Sequence, residues 1–186
     1  MPRQVFDFDP PDRFVVGTVG EPGQRTFYLQ ASGTGRITSV ALEKAQVQVL
    51  AERVDTLLDE IVRRSGGTAP VPAVAPLELD DNAPLDQPLL EEFRVGTMAL
   101  AWDADAEQVL IEAQAITEGE AEEPEIDAED PDGPPLLRVH LSGAAARAFV
   151  KRAKAVVAAG RPPCPFCAQP LDPAGHICPR ANGYRR

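Results

Sequence analysis

The sequence predicts an α+β fold of two related β-β-β-α units followed by a small C-terminal zinc knuckle. Three observations lead to this prediction: two blocks with the same order of strand-like and helix-like segments, a proline-rich connector between them, and a cysteine cluster near the end of the chain. The 186 residues suffice for one domain or two small ones. An apolar fraction of 44% is typical of a globular chain and argues against disorder throughout.

The first unit is predicted over residues 1–64. Runs of apolar and β-branched residues separated by turn signals predict three antiparallel strands, over residues 14–19, 26–31 and 37–42. Residues 5–8 are predicted to add an edge strand to this unit. Apolar residues at three- and four-residue steps, from Val47 to Ile61, predict an amphipathic helix over residues 43–64.

The second unit is predicted over residues 93–160. Its first segment, FRVGTM, matches FVVGTV of the first unit at four of six positions, 79 residues later in the chain. Strands are predicted over residues 93–98, 108–113 and 136–141, and a helix follows over residues 143–159 with Ser142 as its N-cap. We expect two three-stranded sheets, each covered by its own helix and related by a pseudo-two-fold axis.

Two acidic segments interrupt these units. Residues 65–92 form a proline-rich linker that is expected either to be extended or to lie along the surface as a strap. Residues 118–135 carry nine acidic side chains and are expected to form a loop within the second unit. The bases lie elsewhere: residues 138–186 hold nine bases and one acid, whereas residues 65–137 hold one base and 19 acids. This segregation predicts either a contact within the chain or a basic surface for an anionic partner.

The longest apolar runs are far shorter than the roughly 20 residues that a membrane helix needs, so we expect no membrane association. The N-terminal residues show no apolar core of a signal peptide. The sequence therefore predicts a cytoplasmic protein.

The chemical motif of the sequence is a Cys/His cluster within residues 161–186, where a zinc knuckle and a basic tail are predicted. All three cysteines and one of the two histidines fall within 15 residues, as Cys164, Cys167, His176 and Cys178. Three thiolates and one imidazole form a standard tetrahedral set for structural Zn²⁺. Because four protein ligands leave no open position for water, a catalytic zinc is not expected. A redox Cys-x-x-Cys pair and iron ligation remain as alternatives, and a disulfide would leave one cysteine unpaired.

Basic side chains surround this cluster and the second helix. They are Arg147, Lys151, Arg152, Lys154, Arg161 and Arg180. A basic helix beside a zinc module has the composition of a surface that holds phosphates of a nucleic acid. The alternative is that these charges solubilise the surface or neutralise acidic residues of the same chain.

The terminal motif CPxCxxPLDPxGHxCPR, together with Phe27-Tyr28-Leu29-Gln30 and Val95-Gly96, resembles an uncharacterised protein family of Actinobacteria, the domain of unknown function 3090 type. The resemblance covers nearly the whole chain. It implies that Cys164, Cys167, His176 and Cys178 are metal ligands, and it implies no activity.

These features favour a non-enzymatic binding or adaptor protein that contains structural zinc and has a protein partner. The first alternative is a nucleic-acid-binding protein that uses the basic second helix and the knuckle. The second is an enzyme with a small-molecule site between the two repeats, although the sequence shows no constellation of catalytic residues for it.

Overall fold

The computed structural model describes residues 2–117, 125–127, 129–171 and 175–180. Part of the predicted acidic loop and the last six residues of the basic tail therefore lie outside the described residues. The elements are β1 (Val5–Phe8), β2 (Arg13–Val19), β3 (Thr26–Gly33), β4 (Arg36–Leu42), α1 (Lys44–Arg64), a 3₁₀ turn (Leu77–Leu79), β5 (Glu91–Asp103), β6 (Gln108–Ala115), β7 (Leu136–Ser142) and α2 (Gly143–Ala158). The α+β class predicted from the sequence is confirmed.

The described strands form one seven-stranded sheet in the order β1-β7-β6-β5-β4-β3-β2. The predicted pair of three-stranded sheets is therefore wrong, because the antiparallel meanders β2-β3-β4 and β5-β6-β7 join through a parallel pairing of β4 with β5. A parallel pair needs a long crossover connection, and α1 with the segment after it supplies one here. The expectation for residues 5–8 is also corrected, since β1 pairs in parallel with β7 of the second half.

The sheet curls strongly. β1 and β2 lie at its opposite edges, yet only residues 9–12 connect them. A flat sheet would separate these edges by about 29 Å, from six steps of about 4.8 Å, whereas the connection spans about 18 Å at most. A contact between strands that lie far apart in the sheet order supports the curl: the Arg36 guanidinium of β4 donates to the Asp7 carbonyl oxygen of β1 over 2.8 Å.

The two helices pack against each other and share one apolar core with the sheet. Val47, Leu50, Val54 and Leu58 form the buried face of α1. Ser142 caps α2 as predicted, because its hydroxyl accepts a hydrogen bond from the Ala145 N–H over 3.1 Å. Where the two meanders meet, Val40 and Val95 are buried in this core.

Residues 65–90, called the strap below, lie along the folded surface. Leu85 is buried, and its side chain occupies the space above Gly17, where a Cβ would stand 2.5 Å from the leucine carbons. The Gln30 side chain pairs with the Asp86 backbone through two hydrogen bonds of 3.1 and 2.7 Å. This segment was expected either to be extended or to lie along the surface as a strap, and the structure shows the strap.

Asp81 ties the strap to β2 and α2. Its carboxylate accepts hydrogen bonds from Arg13 at 2.6 and 2.9 Å and from Arg152 at 2.8 Å. The hydrogen bond from Arg13 holds the pKa of Asp81 below its ordinary value, although burial opposes this shift. Both guanidinium groups are largely buried; Asp81 is the counter-charge that they share, and Arg13 has a second one in Asp86 at 3.1 Å.

We expect the substitution Asp81→Asn to lower the free energy of unfolding by about 2–3 kcal/mol, because it leaves two largely buried cations without their shared anion. A carboxyl whose pKa falls on folding stabilises the protein above its unfolded pKa of about 3.9, and this contribution is lost as the pH falls further. Denaturant unfolding of the wild type and Asp81→Asn at pH 7 and at pH 3 measures both effects. The difference in the free energy of unfolding between the wild type and Asp81→Asn should be smaller at pH 3 than at pH 7.

The matched control is Glu60→Gln, which removes a carboxylate whose partners Arg63 and Arg64 on α1 are exposed. It should change the free energy of unfolding much less than Asp81→Asn does, because solvent screens exposed ion pairs. Equal effects of Asp81→Asn and Glu60→Gln would show that the strap contact contributes no more than a surface ion pair.

Candidate metal centre

The structure brings Cys164, Cys167, His176 and Cys178 together at one point. Their ligand atoms all lie within 4.8 Å of one another. The Sγ atoms of Cys164 and Cys178 are 3.9 Å apart, and Cys167 Sγ lies 3.4 Å from His176 Nε2. Ideal tetrahedral zinc, with Zn–S of 2.3 Å and Zn–N of about 2.05 Å, would separate two sulfurs by about 3.8 Å and a sulfur from a nitrogen by about 3.6 Å. The donor set and its spacing therefore fit one tetrahedral ion.

A short hairpin of the chain presents the first two ligands; it is part of the knuckle, the name used below for residues 162–171 and 175–178. The Leu171 N–H donates to the Pro162 carbonyl oxygen, the Cys164 N–H to that of Gln169, and the Ala168 N–H to that of Cys164, over 2.8–2.9 Å. Ala168 has a φ of 60°, which turns the chain tightly after Cys167. The turn aims both thiols of Cys-x-x-Cys at the same side.

The three thiols lie so close to one another that they cannot easily be ionised at the same time. Burial raises the pKa of Cys164, but the backbone N–H groups of Phe166 and Cys167 outweigh it and lower that pKa. The backbone hydrogen bond at Gln169 lowers the pKa of Cys167, but burial and the neighbouring Cys164 outweigh it, so the net shift is upward. Thiolates this close repel one another, so a bound dication is what lets all three ionise.

The sulfurs of Cys164 and Cys178 are far beyond the roughly 2.05 Å of a disulfide bond, and all three cysteines are free. Cys164 and Cys178 are buried, and Cys167 and His176 are half-buried. Four protein donors complete a tetrahedral shell, which is the pattern of a structural site. The cluster can hold a metal ion, and the sequence spacing predicted its four residues.

Comparison with known protein families decides the family of the chain. The model of a family described as "Protein of unknown function (DUF3090)" matches residues 6–178. The chain belongs to this family. The resemblance inferred from the sequence is thereby confirmed, and the matched segment of this DUF3090 chain extends to the last of the four ligands. No curated protein and no solved structure matches the chain significantly.

Two α2 residues of the DUF3090 chain that were predicted to contact an anionic partner form contacts within the molecule instead. Arg147 is buried, and its guanidinium donates to Asp55 and Asp59 of α1 over 2.6 Å each. Arg152 donates to the Val16 carbonyl oxygen over 2.8 Å and also to Asp81 of the strap. These two side chains hold the helix to its neighbours.

The two lysines of α2 are more exposed but also paired. Lys151 contacts both carboxylate oxygens of Asp80 at 2.6 Å, and Lys154 contacts Asp55. Burial would raise the pKa of Asp55, but hydrogen bonds from Lys154 and Arg147 outweigh it and lower that pKa. The acids that neutralise α2 lie on α1 and in the strap.

Arg161 and Arg180 lie nearer the Cys/His cluster. Arg180 is exposed and donates to the Phe166 carbonyl oxygen over 3.3 Å. Arg161 lines a cleft of about 460 Å³ together with Arg25, Lys44 and Pro170. Around this cleft, a Cβ on Gly160 would lie 3.4 Å from Lys44 Nζ and 3.8 Å from an Arg25 guanidinium nitrogen.

Arg25 and Lys44 were missed by sequence reasoning. They precede β3 and open α1, far from the C-terminal bases in the sequence, and nothing in the local pattern marks them. Only the packing of the β2–β3 turn and the start of α1 near the end of α2 brings them to Arg161. Among the described residues, no carboxylate lies within salt-bridge distance of Arg25 or Lys44.

We expect the purified protein to contain one equivalent of a transition metal, and His176→Ala to lose it. Removing a direct ligand should weaken metal binding by more than the roughly 10–100-fold typical of losing an outer-shell partner. Elemental analysis and competition with a chromogenic chelator measure content and affinity. The control is His140→Ala, because the chain's second histidine lies in β7. Equal metal loss in both variants would contradict the assigned site.

Proposed function

We propose that this protein is a non-enzymatic binding protein of the cytoplasm, in which a structural Zn²⁺ fixes the knuckle as an interaction surface for another protein. The observation that carries the proposal is the convergence of three thiols and one imidazole within 4.8 Å in a segment with little regular structure. A zinc ion would supply folding free energy to such a segment, because it binds the gathered donors and neutralises the thiolates, which would otherwise repel one another.

The chemistry of the donor set favours zinc among the transition metals. Thiolate and imidazole ligands in a tetrahedron suit Zn²⁺, whereas Mg²⁺ and Ca²⁺ select oxygen donors. Iron bound by thiolates is the main competitor for such a set. The ligand count leaves no position for a reacting water, which supports a structural rather than a catalytic role.

The outer face of the knuckle supports a role in binding. Phe166 and Ile177 each stand next to a ligand in the sequence, and their side chains are 62% and 84% exposed. Large apolar side chains displayed on a metal-fixed loop would gain free energy when a partner covers them. The ligands beside them would hold both side chains in place, which lowers the entropic cost of association.

We expect the wild-type protein, tagged and captured from its native cytosol, to retain a specific protein partner that the double variant Phe166→Ser/Ile177→Ser loses at least tenfold. The loss follows from removing the two large exposed apolar side chains of the knuckle. Quantitative mass spectrometry of the captured proteins measures it.

The matched control for this capture is Val74→Ser/Leu77→Ser, which removes two similarly exposed apolar side chains from the strap. It should leave the captured partner unchanged. A partner retained equally by both double variants would contradict a binding role for the knuckle.

Nucleic-acid binding is the second candidate, and the cleft beside the knuckle is the observation that favours it. Arg25, Lys44 and Arg161 line this cleft, and Arg180 directly follows the neighbouring knuckle. A phosphate group fits a cleft with several cations, because each contact releases counterions from the nucleic acid. Of the α2 bases, Lys151 and Lys154 are exposed enough to add to such a surface.

If this second function holds, affinity for single-stranded RNA or DNA should fall steeply with salt, and Arg25→Ala/Lys44→Ala should lower the salt slope by about two. Fluorescence anisotropy with a labelled oligonucleotide measures both quantities. The control variant Arg63→Ala/Arg64→Ala removes the same charge from the far end of α1. Binding that is insensitive to salt and to the cleft substitutions would eliminate this candidate.

The proposal also divides the chain into two related units, a linker, and a knuckle with its tail. We infer that residues 1–64 and 93–160 are related units, joined by residues 65–92 and followed by the knuckle and tail over residues 161–186. The shared order of three strands and one helix supports this, as do the matched segments FVVGTV and FRVGTM. A pseudo-two-fold axis relating the units would carry β2, β3 and β4 onto β5, β6 and β7, which follow them in the sheet.

No helix among the described residues has the length and apolar character that crossing a membrane requires.

A further inference from the structure

β5 has one incompletely paired edge. It pairs with β6 as far as Asp103, but its register with β4 ends at Arg94. β4 itself ends at Leu42, and the chain then enters α1. From Met98 to Trp102, no strand in the described part of the chain pairs with β5 on this side.

α1 runs alongside this edge and forms the second wall of a trough. Near its start, the Gln46 side chain donates to the carbonyl oxygens of Val95 and Gly96 over 3.1 Å each. Farther along, two adjoining cavities of about 830 and 510 Å³ separate the helix from β5, and Leu57 and Glu60 line both. The edge from residue 98 to 104 measures about 20 Å, and the helix from residue 49 to 64 about 22 Å, so the walls match in length.

The β5 wall of the trough is apolar, whereas the α1 wall combines Leu57 with the charged residues Arg53, Glu60 and Arg64. Leu57, Met98, Leu100 and Trp102 are partly buried against the core and partly open to solvent. The edge sequence MALAW contains none of the lysine or proline residues that usually block pairing of an exposed strand. A ligand for this site must supply both apolar side chains and backbone hydrogen-bonding groups, and an extended peptide supplies both.

We propose that this trough binds an extended segment of another protein, which adds to β5 as a further strand. Side chains point to alternate faces of a strand, so the segment would carry apolar residues at every second position. A second copy of the chain does not fit, because its β5 would fill the trough and carry its β6, which lies beside β5 in the sheet, into α1. The site is separate from the knuckle and needs no metal, so it extends the proposed binding role to a second surface.

The test is a selection of random nine-residue peptides, displayed on phage, against the full-length protein. We expect enriched peptides with apolar residues at alternating positions, whose affinity is then measured by fluorescence anisotropy. The double variant Val49→Arg/Thr56→Arg places two large cations in the trough at exposed positions of α1, and it should weaken binding at least tenfold. Gln48→Arg, one residue from Val49 and outside the trough, should change binding less than twofold.

Backbone methylation of a selected peptide distinguishes strand addition from simple apolar docking. N-methyl groups on alternate residues should weaken binding at least tenfold in one register and less than twofold in the other, because only every second N–H faces β5. Equal effects in both registers would overturn the proposal. So would a selection that enriches nothing over a target-free control, or binding that Val49→Arg/Thr56→Arg leaves unchanged.

Two further results would show that the peptide binds at the knuckle or that a second copy of the chain occupies the trough. If peptides bind but lose affinity in Phe166→Ser/Ile177→Ser instead, the trough proposal fails while the binding role of the knuckle stands. If light scattering shows a dimer that Val49→Arg/Thr56→Arg converts to a monomer, the occupant is a second copy and the peptide proposal is wrong.

Discussion

Charge compensation between distant parts of the chain is the constraint on which this structure depends. Arg147 is 7% exposed, and it can be buried only because Asp55 and Asp59 of α1 face it. Arg152 and Arg13 share Asp81 of the strap in the same way. These contacts fix α2 against α1, β2 and the strap at once. Of the two expectations drawn from the charge segregation, the structure shows contact within the chain for Arg152 with Asp81 and Lys151 with Asp80, whereas Arg147 pairs with acids outside the acidic segment.

The same constraint acts on the Cys/His cluster, where the structure supplies no cationic side chain among the four donors. Three thiols within 4.8 Å of one another cannot all ionise unless a cation neutralises them. A protein-bound Zn²⁺ would meet that need and give a proline-rich segment one conformation. Different residues therefore maintain the fold and form the proposed binding surfaces. The buried α2 arginines maintain the fold, and the surfaces proposed for binding lie on the knuckle and beside β5.

The sequence predicted the features that depend on local patterns. The helix boundaries, the Ser142 cap and the four clustered donors follow from periodicity and spacing, which a single sequence displays. The parallel β4–β5 pairing and the position of β1 beside β7 depend on contacts between residues far apart, so local patterns could not reveal them. β5 is also longer than predicted, because Ala99 and Ala101 gave no strand signal of their own. Arg25, Lys44 and the trough also depend on contacts between residues far apart in the chain, so local patterns did not predict them.

X-ray absorption at the zinc K edge of the purified, full-length protein shows whether the Cys/His cluster holds zinc, because it reports the number and type of atoms bound to the metal. We expect three sulfur neighbours at about 2.3 Å and one nitrogen neighbour at about 2.0–2.1 Å. A spectrum with only oxygen and nitrogen neighbours, or a protein without zinc, would contradict this expectation.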